Sequence, residues 1–477
     1  MPSFPFSLFS TEIALITLAL GGLLLDIFLK DDEKRGTVLA NIAMIGLSVT
    51  FAQLLFQWGR FGSAFKGSFM QDELSFYFKL LFLLAGFLVL FMAREYQSHL
   101  KRGHGEFVLL ILFSLVGMSF LISANDFLVF FVALETLTIS LYIMTTYLRD
   151  ENASIEAGAK YLVLGAISTA VFLYGLSFIY GVTGSTSFGV IQAKMSSVSN
   201  LPLPFLFGVV LVIASLCFKI AAVPFQFWAP DIYQGAPTPV TAFLAIGSKA
   251  AGFAGLVRLL FSAFSPAVET LAPLFALLAA LTIIYGNCGA IPQSNIKRLL
   301  GYSSIGHAGY MMIGLVTFAH TGKESLLYYL LTYLFSTGGA FLVLLALCHH
   351  LKTDSIEELS GLSRKSPLLA AAMLISLLSL AGVPPMAGFF AKFYLLFSAV
   401  ESGYLWLAVI GALNVITSLY YYLKVIKVIY MQKSADDAPI HVSFDKKVMQ
   451  YFTMAAILIL GIYQGPFVRF VEQIFLR

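Results

Sequence analysis

The chain is 477 residues long, 59% hydrophobic and only 11% charged, with a mean hydropathy of +0.88. A soluble globular domain carries about 25% charged residues, so this composition excludes one and fits an all-α polytopic membrane protein. A net charge of +4 with no Lys/Arg-rich tract argues against a nucleic-acid partner, and Cys217, Cys288 and Cys348 offer neither metal-ligand spacing nor a disulfide framework.

Apolar runs of about 20 residues, bounded by charge, Gly or Pro, predict about fourteen transmembrane helices. Helices 10–30, 36–58 and 72–92 make an N-terminal three-helix segment, 1–103. The first run lacks a basic leader and reaches spanning length, which speaks against a cleaved signal peptide. Asp26 and Lys30 stand one turn apart in it as an interfacial pair, and Lys79, near an end of the third helix, reads as a snorkelling side chain. Helices 105–123, 126–148, 156–183, 204–225 and 238–262 fill 104–262. Helices 268–290, 297–318, 325–348, 366–399 and 404–430 fill 263–430. A last helix, 447–470, belongs to a C-terminal segment, 431–477. Fifteen Lys/Arg residues fall in the odd-numbered loops against six in the even loops and termini. The positive-inside rule then puts both termini outside the cytoplasm.

The two groups of five look alike. Glu156 to Leu162 with Ser168 and Thr169 aligns with Glu324 to Leu330 with Ser336 and Thr337, and the two segments open the sixth and eleventh helices. Five is odd, so the copies enter the bilayer from opposite sides, and spans 4–8 and 9–13 read as inverted repeats of the transporter kind. Spans 7 and 12 are expected to be broken: Pro224 follows Lys219, and Pro384 and Pro385 precede Lys392. Proline frees a carbonyl that lipid cannot satisfy, so each break must face protein or water. Gly247, Gly252 and Gly255 loosen span 8 around Lys249.

Glu135, Lys219, Lys249 and Lys392 are charges placed deep in these runs. One such charge costs about 2.5–3.5 kcal/mol at a helix centre, and the usual reason for it is transport. Burial favours the neutral form of an acid or an amine, whereas pairing favours the charged form. A Glu135–Lys219 pair that closes and opens would therefore load and release a proton; a structural ion pair or a snorkelling lysine is the plainer reading of the same residues. His307, mid-helix in GYSSIGHAGYMM, reads equally as a proton relay or as a packed histidine. Hydroxyls such as Thr136, Thr138, Ser140, Ser248, Ser303 and Ser304 suit either ordered water or helix contacts. No dinucleotide fingerprint, Walker loop, haem or iron–sulfur spacing, or HExxH is present, so redox chemistry and nucleotide hydrolysis are not expected of this chain alone.

FKIAAVPFQFWAPDIYQGAPTPVTAFLAIGSKAAGF (218–253), GNCGAIPQSNIKRLLGYSSIGHAGYMMIGL (286–315) and LAGVPPMAGFFAKFYLL (380–396) closely resemble the antiporter-like membrane subunits of respiratory complex I. The resemblance covers essentially the whole chain. It implies that Glu135 is the span-5 acid, Lys219 its span-7 partner, Lys249 a bridging lysine, His307 a central relay and Lys392 the exit-side lysine. Lysine rather than glutamate at the exit and the DIYQGAP segment point to one particular sister subunit. Gln226 departs from the family, which often has histidine there. The resemblance further implies a bacterial inner-membrane subunit of an NADH:quinone oxidoreductase (a translocase), partnered by neighbouring antiporter-like subunits, the lipid bilayer and protons. NADH, FMN, iron–sulfur clusters and quinone are then expected in partner subunits, with no cofactor or metal in this chain. Alternatives are a cation/proton antiporter subunit of the Mrp type, the equivalent subunit of a ferredoxin-linked or hydrogenase complex, and a non-transporting scaffold.

Overall fold

A computed structural model describes residues 6–29, 32–318, 321–348, 350, 353–434 and 438–474, with backbone only at 32 and 33. Lipid offers no hydrogen bonds, so each apolar run closes its own backbone bonds as a helix. In chain order these are α1 (Ser10–Phe28), α2 (Asp32–Leu55), α3 (Glu73–Tyr96), α4 (His104–Ser123), α5 (Phe127–Thr145), α6 (Asn152–Thr183), the short α7 (Phe188–Ser196) and α8 (Leu203–Ile220). They continue as α9 (Trp228–Gly235), α10 (Thr238–Phe243), α11 (Lys249–Phe261), α12 (Val268–Ala290), α13 (Ile296–Val316) and α14 (Gly322–Leu347). The last are α15 (Leu362–Lys365), α16 (Pro367–Ala381), α17 (Ala387–Glu401), α18 (Leu405–Met431), α19 (Phe444–Ile462) and α20 (Gln464–Gln473). A small antiparallel hairpin, β1 (Gly62–Ala64) with β2 (Phe69–Gln71), caps the approach to α3; the sequence reading did not foresee it.

Eleven helices among the described residues are long and apolar enough to cross a bilayer, or twelve if the bent pair α19–α20 is one crossing. Three of the expected spans fall outside these eleven for physical reasons. Span 12 is two short helices, α16 and α17, parted at 382–386. The last span bends by 79° between α19 and α20. Span 10 is a 21-residue helix, α13, whose Lys297, Arg298 and run of Gly, Ser, Tyr and His dilute its apolar character. Span 7 also ends earlier than expected: α8 stops at Ile220, and the chain runs irregularly through Pro224 to α9.

The chain folds as two compact units, Met1–Ile220 with Gly235–Val268, and Ala221–Gln234 with Glu269–Arg477. In the first, the span formed by α10 and α11 is buried up to its last residue, Phe261, while α6 turns most of its surface outward, with Leu162, Val163 and Ile167 exposed. In the second, α14 is buried along nearly its whole length and α18 is the exposed one. Each unit therefore wraps a buried helix inside others whose apolar outer faces suit lipid.

Candidate functional site

In the first unit, Asp126 caps α5 by accepting the Leu128 N–H at 2.8 Å. Two turns along, Glu135 is half-buried and accepts a hydrogen bond from Thr169 Oγ1 at 2.8 Å. Lys219 lies in the last turn of α8, 3% exposed. The expected Glu135–Lys219 ion pair is not closed. Lys219 Nζ instead donates to Tyr142 Oη at 3.3 Å and sits 5.6 Å from that ring's centroid. Tyr142 is two turns beyond Glu135 on the same face of α5. Tyr161 packs edge-on against Tyr142, at 4.8 Å, and stacks on Phe218. Lys219 thus ends in an aromatic box with one phenol oxygen as its partner. One turn away, Ser168 and Ser215 share a hydroxyl bond at 2.9 Å that ties α6 to α8.

Lys249 is 2% exposed and opens α11 directly after a π-helical turn, Leu244–Ser248. Such a turn widens the helix and inserts a residue, and it recurs at functional sites. One turn on, a Cβ at Gly252 would stand 2.6 Å from Ile220 Cγ2 and 3.4 Å from Lys219 Cβ. Only glycine lets α11 come this close to the lysine-bearing turn of α8.

In the second unit, His307 is buried at mid-helix in α13, with Nδ1 2.6 Å from Tyr329 Oη and Nε2 3.2 Å from Tyr422 Oη. Both ring nitrogens are engaged, so a proton taken by one can be matched by release from the other. Tyr422 also bonds Ser303, while Tyr233 and Tyr333 both reach Ser304, at 3.0 and 3.1 Å. Lys392, 3% exposed on α17, donates to the Ala381 carbonyl at 3.0 Å and to Ser418 Oγ at 3.4 Å. Ser418 is one turn of α18 from Tyr422, the partner of His307, so the Lys392 and His307 sites share one helix face; the Ser418 hydroxyl itself donates to the Val415 carbonyl at 2.8 Å. Gln226 is buried at the first break, and its Oε1 has no hydrogen-bond partner among the described residues.

Residues 124–418 match the family described as NADH:quinone oxidoreductase/Mrp antiporter, transmembrane. The chain belongs to this family. It is 41% identical over 463 residues to a protein of Desulforamulus reducens named NADH-quinone oxidoreductase subunit N, covering 97% of this chain and 96% of the relative. A chain of respiratory complex I from Thermus thermophilus, solved with bound aureothin, superposes with a TM-score of 0.82 at 34% identity, over 96% of this chain and 98% of that one. A chain of the Mrp complex of Dietzia sp. shares the fold, with a TM-score of 0.87 at 18% identity over 99% and 97%. The family's transmembrane description agrees with the multi-span architecture.

Sequence reading counted tyrosine among the plentiful hydroxyls of these spans but singled out none of the phenols. Tyr142, Tyr329, Tyr333 and Tyr422 touch the candidate residues or their partners, and the only signal for them was tyrosine inside apolar spans. It also misjudged Lys79. That amine does not snorkel: it is 1% exposed, 2.6 Å from Glu12 Oε1 and 2.5 Å from Gln71 Oε1, and Ser119 donates to the same Glu12 oxygen. Arg258, also missed and fully buried, forks onto Asp72 at 2.6 and 2.8 Å. Of the expected Asp26–Lys30 pair, Lys30 lies outside the described residues, and Asp26 approaches Arg35 at 3.7 Å. Lys160 pairs one turn back with Glu156 at the surface, at 2.7 Å. Among the described residues no group of His, Cys, Asp and Glu is placed to hold a metal ion.

Proposed function

We propose that this chain is the proton-translocating, subunit N-type membrane-arm subunit of an NADH-quinone oxidoreductase, and that Glu135, Lys219, Lys249, His307 and Lys392 carry the protons. What supports this most is the open state of the Glu135–Lys219 pair. A buried amine that meets a phenol, with its family-matched carboxylate out of ion-pair reach, suits a group that exchanges a proton and not one that merely braces helices. Electrostatics supply the drive. A unit charge change 7 Å away shifts a site by about 2.4 kcal/mol at an effective dielectric of 20. Closing Glu135 on Lys219 holds a proton there; opening releases it towards Lys249 and His307, and Lys392 passes it out. The energy comes from quinone reduction in partner subunits, which hold NADH, FMN, iron–sulfur clusters and quinone, while this chain does no redox chemistry.

In this reading the chain makes fourteen crossings, with α13, the α16–α17 pair and the α19–α20 pair completing the count. Segments 104–262 and 263–430 are the inverted five-helix repeats, flanked by 1–103 and 431–477. The protein sits in the bacterial inner membrane beside other antiporter-like subunits, with both termini outside the cytoplasm. Relatives near 40% identity carry the oxidoreductase name, whereas the Mrp neighbour stands at 18%, which favours this reading over a free-standing cation antiporter. The test is Lys219→Ala in membranes holding the assembled complex. Proton pumping should fall by about tenfold or more while NADH:quinone electron transfer with an uncoupler falls far less. Unchanged protons per electron, or lost sodium tolerance with intact NADH oxidation, would sink it.

A further inference from the structure

Outside the buried charges, the first unit carries a second chemically distinct feature. Arg35 on α2, Arg102 just before α4 and Arg149 just after α5 come from three separate parts of the chain to line one cavity of about 600 Å³. Among the described residues lining it, Glu106 is the only carboxylate, and Asp26 stands behind the wall 3.7 Å from Arg35, so three guanidinium groups meet two acids and one positive charge is left over. Arg35 is also held in place, donating to the Leu29 carbonyl at 2.5 Å beside Asp26. The rest of the wall is largely apolar: Leu23, Phe113 and Ile143 line the same cavity, and Leu23 and Ile143 are exposed on the outer faces of α1 and α5.

We propose that this cavity is a binding site for an anionic phospholipid. Guanidinium groups match a phosphate through paired N–H donors, and they collect here where the apolar helix faces end. The acyl chain then runs along Leu23, Phe113 and Ile143. A soluble phosphate would leave that wall unused, and a zwitterionic lipid would leave the charge imbalance unanswered, so both halves of the cavity are satisfied together only by an anionic lipid. Basic pockets between helices at a membrane face are a recurring way to hold such headgroups. The volume lies within the range of about 300–1,000 Å³ usual for small-ligand sites.

The test uses the intact complex in phosphatidylcholine nanodiscs containing a trace of phosphatidylglycerol with a diazirine on its acyl chain. Irradiation should label peptides of α1, α4 and α5 around Leu23, Phe113 and Ile143. Unlabelled phosphatidylglycerol should compete and phosphatidylcholine should not. Arg102→Gln should weaken labelling about fivefold, and Arg102→Gln with Arg149→Gln about thirtyfold, in line with the usual worth of one basic residue at an anionic surface. Arg102→Lys should keep most of it, which also serves if the double variant fails to assemble. Labelling spread evenly over the exposed faces of α6 and α18, equal competition by phosphatidylcholine, displacement by millimolar inorganic phosphate, or a cavity unlabelled because a neighbouring subunit fills it would each overturn the proposal.

Discussion

The two Pro-broken segments meet the same physical problem in opposite ways. At the second break, α16 ends in a left-handed residue, Gly382 with φ +86°, and the freed Ala381 carbonyl is taken by the Lys392 amine at 3.0 Å. A Cβ on Gly382 would stand 3.0 Å from Lys392 Cδ, so the glycine also makes room for the lysine stem. At the first break the left-handed residue is Ala221, φ +59°, and the nearby lysine, Lys219, points to a phenol and not to the break. The backbone there is served by other groups, Val223 N–H donating to Thr282 Oγ1 at 3.0 Å. One lysine is therefore part of the scaffold of its own break, and the other is held loosely beside its break. The same residue type after the same kind of interruption can serve structure, function or both, and only its hydrogen-bond partners tell which.

The sharpest way to break this contrast is to remove the two amines in turn. Both Lys219→Met and Lys392→Met delete a buried charge, but only the second orphans a carbonyl. Lys392→Met should leave the solubilised protein less stable than Lys219→Met by about 1–3 kcal/mol, the cost of an unmet buried acceptor. Thermal denaturation in detergent reads the difference, and equal midpoints would remove the scaffold role of Lys392. Next in size, Gly382→Ala forces a side chain into left-handed backbone at about 1–2 kcal/mol and pushes on the Lys392 stem. It should lower both stability and proton pumping.

Tyr142→Phe takes from Lys219 its phenol partner at a cost of about 1 kcal/mol. It should slow pumping several-fold while leaving electron transfer in uncoupled membranes nearly unchanged; an unaltered pumping rate would make Tyr142 mere packing. The smallest effect is a gain. Ala221→Gly relieves left-handed strain of about 1–2 kcal/mol, partly offset by glycine's extra freedom in the unfolded chain, so the denaturation midpoint should rise slightly. A fall would mean that the Ala221 methyl packs more usefully than its backbone angle suggests.

Much of this was written in the sequence because lipid is an unforgiving solvent. A charge in an apolar run stands out, which is why Glu135, Lys219, Lys249 and Lys392 were found, and proline in such a run marks a break. One charge was misassigned and one missed for the same reason. Lys79 looked interfacial because its counter-charge, Glu12, lies on a different helix far away in the chain, and Arg258 drew no reading because Asp72 is equally remote. No single phenol could be picked out in advance because a tyrosine among phenylalanines carries no charge to betray it.

Composition and periodicity by themselves determined a helical, multi-span membrane protein, its breaks and its principal buried charges, since each depends only on how a short stretch behaves in hydrocarbon. Tertiary packing alone decided which amine meets a carboxylate, which a phenol and which a carbonyl. Those pairings depend on how far one helix surface lies from another, a distance that no local stretch of chain encodes.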